Sequence, residues 1–147
     1  ILIDDGKQRE SLRKKIYQSN NKNLLLDEKL ISKSSLKYLS KKSGVIIQKS
    51  VLISSHVKIN EGVKIHIGSQ IHHGVSIDKY STISPASIIL GNVKIGKYSF
   101  IGANSTIRQK IKIGNHCVIG AGAVVVRDVK DGETVVGNPA TRINYKK

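Results

Sequence analysis

The chain has 147 residues, enough for one sizeable domain with a small appendage. It contains no Trp, one Phe and only 4% aromatic residues, so its 39% of hydrophobic residues predict an aliphatic core of Ile and Val. A single cysteine excludes an internal disulfide framework, and no apolar run is long enough for a membrane-spanning helix.

The net charge of +15 comes from both parts of the chain, with 12 Lys and Arg residues in positions 1–50 and 13 in positions 51–147, and is not gathered into one segment. Such a surface attracts polyanions in general. Because aromatic residues for base stacking are scarce, we expect small phosphorylated ligands rather than nucleic acid as partners. The lone Cys117 suits a reducing compartment, so we predict a cytoplasmic location. The chain begins at Ile1 without an initiator Met, and we expect that further sequence precedes it.

Residues 1–44 lack the repeat that follows them, and we predict a partial N-terminal α/β segment with a linker. Leu2 and Ile3 favour the end of a strand, residues 4–6 (DDG) a turn, and residues 9–17 a basic helix. Residues 18–44 are polar and rich in lysine, as is typical of a linker.

From residue 47 an aliphatic residue recurs at every sixth position through fourteen hexads. The series is Ile47, Ile53, Ile59, Ile65, Ile71, Ile77, Ile83, Ile89, Ile95, Ile101, Ile107, Ile113, Ile119 and Val125. Two residues before each member lies a smaller side chain, such as Val57, Ser81 or Ala123. In a strand these two positions point the same way, so each hexad predicts a short strand followed by a polar turn. Only stacking of successive coils buries the Ile row.

If a coil has three hexads, residues 18 apart share one outer face. Positions 58, 76, 94, 112 and 130 carry Lys, Ser, Lys, Lys and Lys, which predicts a basic face exposed to solvent. The columns that begin at residues 46 and 52 are largely apolar. Exposed apolar faces are typical of interfaces, so these two columns predict contacts between subunits.

Residues 95–100 (IGKYSF) and 113–118 (IGNHCV) resemble the hexapeptide signature of bacterial acyltransferases. The resemblance implies a left-handed parallel β-helix of hexapeptide repeats over residues 45–147, with acetyl-CoA as co-substrate, no metal and a trimeric assembly. Residues 135–140 (VVGNPA) resemble the closing segment of these enzymes. Residues 1–44 resemble the last strand-turn-helix of the nucleotide-sugar-binding domain found in one subfamily.

Residues 69–77 (SQIHHGVSI) and 90–96 (LGNVKIG) narrow the resemblance to sugar acetyltransferases, which include sialic-acid O-acetyltransferases and N-acetyltransferases of UDP-linked 4-amino sugars. That resemblance implies that His73 is the catalytic base and His72 a neighbour. Many members have an acidic residue after the base, where this chain has Gly74, and some have a second histidine where this chain has Thr82.

The spacing adds a second argument for this site. Gly91 follows His73 by 18 residues and is predicted to stack on it, about 4.8 Å along the axis. A glycine there lets a thioester approach the backbone, whose N–H could stabilise an oxyanion. By the same resemblance, Ala103 and Ala121 would bind the pantetheine arm of acetyl-CoA. They belong to another corner than His73, which makes sense if the co-substrate lies between two subunits.

We therefore predict an acetyl-CoA-dependent acetyltransferase that modifies a sugar for a bacterial surface polysaccharide or glycan. An acetyltransferase for another small acceptor, such as an amino acid, and a non-catalytic β-helical scaffold remain alternatives. Related β-helices bind zinc through histidines, but the residue 36 positions before His116 is Tyr80, so a zinc site is not expected. His56, His66 and His116 are predicted to be structural or surface residues, the last stacked on Tyr98 and Tyr80.

Overall fold

The computed structural model of the chain describes Gly6, Lys7, Glu10, Ser11 and residues 44–144. Sixteen strands follow one another in this region: β1 Ile46–Ile47, β2 Leu52–Ile53, β3 Lys58–Ile59, β4 Lys64–Ile65, β5 Gln70–Ile71, β6 Ser76–Ile77, β7 Thr82–Ile83, β8 Ile88–Ile89, β9 Lys94–Ile95, β10 Phe100–Ile101, β11 Thr106–Ile107, β12 Lys112–Ile113, β13 Val118–Ile119, β14 Val124–Val125, β15 Thr134–Val136 and β16 Thr141–Ile143. Among the described residues, no helix is long and apolar enough to cross a bilayer.

The strands form three sheets that run along the molecule. We call them the basic sheet (β3, β6, β9, β12), the open sheet (β2, β5, β8, β11, β14) and the covered sheet (β1, β4, β7, β10, β13, β15, β16). Strands three apart in sequence pair in parallel with an 18-residue register, as in Ile65↔Ile83 and Ile83↔Ile101. The predicted fold class, an all-β parallel β-helix of hexapeptide repeats, is confirmed.

The interior is filled by the two inward rows that the hexads predict. Ile47, Ile65, Ile83, Ile101 and Ile119 have no exposed surface, and the smaller row is buried as well, apart from the partly buried Val51. At four of the five inward serines the hydroxyl donates to a carbonyl 15 residues later, as in Ser69 Oγ to Ser84 O at 2.9 Å and Ser99 Oγ to Gly114 O at 2.7 Å. The fifth, Ser105 Oγ, is buried without a hydrogen-bond partner in the described region. A buried hydroxyl without a partner is costly, so the bonds of the other four make serine acceptable in the core.

Three corners connect the sheets. The histidine corner (residues 54–57, 72–75, 90–93 and 108–111) leads from the open to the basic sheet, and the aromatic corner (60–63, 78–81, 96–99 and 114–117) leads on to the covered sheet. The alanine corner (66–69, 84–87, 102–105 and 120–123) returns the chain to the open sheet. In each hexad the second turn residue has a positive φ, for example Gly74 at 68° and Asn92 at 60°.

The regular register ends after Val125. Val129 pairs with Ile113, and Val135 with Ile119, so the last coil is two residues shorter than the others. Asp128 therefore takes the position beside Lys112, and the prediction that Lys130 continues the lysine column of the basic sheet is wrong. Residues 137–140 form a turn with a cis Asn138–Pro139 bond before β16 pairs antiparallel with β15.

The predicted N-terminal segment of residues 1–44 lies mostly outside the described residues. Gly6, Lys7, Glu10 and Ser11 are helical, so Gly6 belongs to a helix rather than to the predicted turn. The strand predicted at Leu2 and Ile3 lies outside the described residues. A Cβ at residue 6 would lie 2.5 Å from the carbonyl oxygen of Tyr80, which means that this helix packs directly against the aromatic corner.

Candidate active site

His73 lies on the histidine corner with its side chain exposed, and its imidazole rests on the Cα of Gly91 in the next coil. A Cβ added at residue 91 would lie 2.5 Å from Nε2 and 2.7 Å from Cε1 of this ring. The structure thus brings the two residues together in the stacked arrangement that the 18-residue spacing predicts. Any side chain at position 91 would displace the ring.

Asn92 stabilises this arrangement, and sequence reasoning had not assigned it a role. Its backbone N–H donates to the carbonyl of His73 at 2.9 Å. Its side-chain Oδ1 lies over the Cα of Gly74, in the space that a Cβ at residue 74 would need. Many members of the family that the sequence resembles have an acidic residue at the position of Gly74. In this chain Asn92 Oδ1 fills the space that the side chain of such a residue would enter. The contact between Asn92 and Gly74 could have been predicted from the sequence, because the two residues are 18 positions apart.

The backbone N–H of Gly91 makes no hydrogen bond within residues 44–144, although the Gly91 carbonyl accepts one from Lys110 N at 2.9 Å. Gly91 is the first residue of its turn, a position whose N–H the stacking of coils leaves unused. Ala103 and Ala121 occupy the same position on the alanine corner, and their N–H groups are equally unpaired in the described region. The three residues predicted to bind acetyl-CoA therefore offer backbone donors.

One chain does not bring all predicted site residues together. His73 and Gly91 belong to the histidine corner, whereas Ala103 and Ala121 belong to the alanine corner. The open sheet separates the two corners, with the outward side chains Gln70, Ile88 and Thr106 between them. A ligand that touches both groups must therefore bridge two chains or cross this sheet.

Residues 92–127 match the family model for the bacterial transferase hexapeptide (six repeats). The hexapeptide repeat of that family is thus present in this chain over these residues. The acetyltransferase domain of PglB from Neisseria gonorrhoeae, solved with acetyl coenzyme A, is 31% identical to this chain with a TM-score of 0.67, over 71% of this chain and 53% of that one. A histidine-to-alanine mutant of the GDP-perosamine N-acetyltransferase from Caulobacter crescentus, solved with CoA and GDP-perosamine, is 27% identical with a TM-score of 0.69, over 72% and 52%.

The serine acetyltransferase of Neisseria gonorrhoeae is also similar to this chain. It is 28% identical with a TM-score of 0.55, and the match covers 68% of this chain and 40% of that one. The chain spans about half the length of the PglB domain and of the GDP-perosamine N-acetyltransferase. No curated protein sequence matches it.

The aromatic corner carries the stacked ladder of Tyr80, Tyr98 and His116 that the sequence predicts. The ring centroids of Tyr80 and Tyr98 are 5.8 Å apart, and those of Tyr98 and His116 are 4.9 Å apart. Tyr98 Oη donates to the carboxylate of Glu10, and this hydrogen bond, with burial, raises the pKa of Tyr98 to about 12. Tyr80 Oη donates to Glu61 at 3.0 Å. This corner is therefore a packing surface for the N-terminal helix.

The remaining chemistry-bearing residues do not form a second catalytic cluster. Within the described residues no three His, Cys, Asp or Glu side chains are placed to hold a metal ion. Cys117 fills an inward position with no exposed surface, and burial raises the pKa of its thiol. The thiol stays protonated at neutral pH and is a poor nucleophile.

Proposed function

We propose that the chain transfers the acetyl group of acetyl-CoA to an amino or hydroxyl group of a sugar. The observation that carries the proposal is the contact between the imidazole of His73 and Gly91, whose N–H is unpaired in the described region. A candidate base, the His73 imidazole, is thereby in contact with the residue whose N–H is the candidate oxyanion donor. The 31% identical PglB domain with acetyl coenzyme A bound supports the choice of co-substrate.

His73 removes the proton from the acceptor while the acceptor nitrogen or oxygen attacks the thioester carbon. The Gly91 N–H donates to the thioester oxygen and stabilises the negative charge that develops there. As the carbon–sulfur bond breaks, His73 returns its proton to the leaving thiolate, so the products are the acetylated sugar and CoA. No metal is needed for any of these steps.

A nucleotide-linked amino sugar is the favoured acceptor, with sialic acid as the second choice. The similarity to a GDP-perosamine N-acetyltransferase supports a nucleotide-linked amino sugar. Such sugars are building blocks of bacterial surface polysaccharides, and we infer a cytoplasmic location because acetyl-CoA is made there. Residues 1–44, as a partial N-terminal segment, would belong to the part of the protein that holds the acceptor.

The active unit is proposed to be a homotrimer packed through the open sheet. The covered sheet suits this role less well, because outward-pointing Thr82 at its centre is only 3% exposed within the single chain, although Val118 nearer its end is 38% exposed. On the open sheet Leu52 is 58% exposed and lies in the same outward column as Ile88 and Val124. A three-fold axis facing this sheet brings the histidine corner of one subunit against the alanine corner of the next. That packing would unite His73 with Ala103 and Ala121 of the neighbouring subunit.

We expect light scattering to give three times the mass of the chain for the wild type, and a monomer for Ile88→Asp. Ile88 points outward from the centre of the open sheet, so the substitution introduces three carboxylates around the axis without touching the core. Lys58→Asp, an outward change on the basic sheet, is the control and should stay trimeric. A monomeric wild type, or a trimeric Ile88→Asp variant, would refute packing through the open sheet.

The activity is tested by incubating the full chain with acetyl-CoA and four acceptors in separate reactions: a UDP-linked 4-amino sugar, the same sugar without nucleotide, sialic acid and serine. We expect CoA release with a sugar acceptor and none with serine. Acetylation of serine alone would instead make the chain an amino-acid acetyltransferase, the alternative favoured by the 28% identical serine enzyme. A chain that neither releases CoA nor is thermally stabilised by acetyl-CoA would be a scaffold.

A further inference from the structure

Positive charge is distributed unevenly along the histidine corner. The turns below His73, at residues 54–56, contain two serines and a histidine but no Lys or Arg. The turn above Gly91 contains Arg108 and Lys110, and the turn that follows β14 at residues 126–128 continues the corner with Arg127; all three side chains are exposed. The base therefore lies at the boundary between an uncharged and a strongly cationic half of the same corner.

These three cations are close to the candidate site and free of carboxylate partners in the described part of the chain. Lys110 N donates to the Gly91 carbonyl at 2.9 Å, and Arg108 N donates to Val125 O at 2.9 Å. Lys110 thus lies one coil beyond Gly91 and Arg127 two coils beyond it, at roughly 5 and 10 Å along the axis. The exposed Asp128 follows Arg127 in sequence, and its Oδ1 accepts the N–H of Lys112 at 2.8 Å.

Lys110 occupies the turn position that has a positive φ throughout the repeat, with a φ of 65°. The other turns of this corner carry His56, Gly74 and Asn92 at the same position, so the coil accepts a long side chain there. The position places the charge of Lys110 in the same turn as that of Arg108.

We propose that Arg108, Lys110 and Arg127 form a phosphate-binding corner that holds the phosphates of a nucleotide-type substrate during acetyl transfer. The inference rests on the proposed function and deepens it. Guanidinium groups bind phosphate oxygens in bidentate fashion, and a lysine adds a point charge. Lys94 and Lys112, exposed on the adjoining basic sheet, extend the same positive surface.

The opposite wall of the groove fits the same ligand chemistry. In the trimer proposed above, the histidine corner faces the neighbour's alanine corner, whose turns at residues 84–86, 102–104 and 120–122 contain no charged side chain. Small residues there leave room for a phosphate, and no carboxylate repels it. Two substrates bring phosphates to this groove, acetyl-CoA and a nucleotide-linked sugar, and both satisfy the same three cations.

The test compares binding of four probes by calorimetry to the wild-type full chain, to the triple variant R108Q/K110Q/R127Q and to Lys58→Gln. The probes are CoA, pantetheine, UDP and uridine, two pairs that differ in their phosphates. Lys58 is an equally exposed lysine of the basic sheet on the other side of the His73 coil, so its variant controls for general charge. We expect the triple variant to bind CoA or UDP about tenfold more weakly, with pantetheine and uridine unchanged.

The probe that loses affinity identifies the source of the phosphate: CoA points to the acetyl donor and UDP to the acceptor. Added salt should weaken the same interaction in the wild type and have little effect in the triple variant. Unchanged binding of both CoA and UDP by the triple variant would overturn the inference, as would an equal loss in Lys58→Gln. Because binding is measured without turnover, a phosphate-dependent loss in a chain that transfers no acetyl group would refute the proposed function and leave the phosphate-binding corner in place.

Discussion

Gly91→Ala is expected to lower the rate of sugar acetylation by about 100-fold or more, an effect comparable to loss of the base itself in His73→Ala. The backbone of Gly91 does not require glycine, because its φ is outside the left-handed region. The obstacle is the imidazole of His73, which would lie 2.5 Å from the new Cβ. Since that ring is exposed, it can rotate away, and the fold should survive while the base leaves its place.

A double-mutant cycle isolates this effect. In the His73→Ala background no ring meets the new methyl group, so Gly91→Ala should cost little further activity. His72→Ala should leave most of the rate intact, because His72 is predicted to be only a neighbour of the base. Rates that multiply independently in the double variant would mean that Gly91 does not act through His73.

Gly102→Ala provides the matched comparison for stability. Gly102 also lies outside the left-handed region, but a Cβ there would be 2.5 Å from the carbonyl oxygen of Ile119 and 2.6 Å from Ala121 N. Backbone cannot move aside as a surface side chain can. We expect Gly102→Ala to lower the melting temperature and Gly91→Ala to leave it nearly unchanged, which separates a steric effect on the base from a defect in folding.

Much of this fold is predictable because every hexad has the same pattern, two inward-pointing residues in a short strand followed by a polar turn. The spacing of Ile47 to Val125 predicts the short strands and their inward rows. Together with the three hexads per coil that the resemblance implies, it also predicts the 18-residue register and the contact of His73 with Gly91. The shortened last coil breaks that period without a glycine or proline to mark it. Val129 replaces the expected residue 131 in the inward row, and only the packed structure reveals the exchange.

The features that escaped prediction depend on contacts between distant parts of the chain. The hydrogen bond from Tyr98 to Glu10 joins residues 88 positions apart, and no local pattern specifies it. Likewise, burial of Thr82 distinguishes the covered sheet from the open sheet, although both outer columns contain apolar residues in sequence. The stacking of His73 on Gly91 therefore follows from the repeat, whereas the proposed interface depends on how exposed each outer face is in the folded chain.

Ile83→Asp is expected to abolish cooperative folding of the β-helix. Ile83 has no exposed surface and pairs with Ile65 and Ile101 at the centre of the covered sheet. Removing such a side chain costs about 2–5 kcal/mol, and burying an unpaired carboxylate adds several kcal/mol. Their sum approaches the roughly 5–15 kcal/mol that stabilises a whole domain. Thermal unfolding followed by circular dichroism should show no cooperative transition in the soluble fraction.

Two further variants decide whether this loss arises from the inward position. Ile83→Val keeps an apolar side chain and should cost only about 0.5–1.5 kcal/mol. Ile88→Asp introduces the same carboxylate five residues later on an outward position and should leave the coils folded as a monomer. Because each coil is stabilised by its neighbours, a charge inside one central coil separates the coils on either side of it, whereas a charge outside does not. A soluble Ile83→Asp chain that unfolds cooperatively would contradict the assignment of the Ile row to the core.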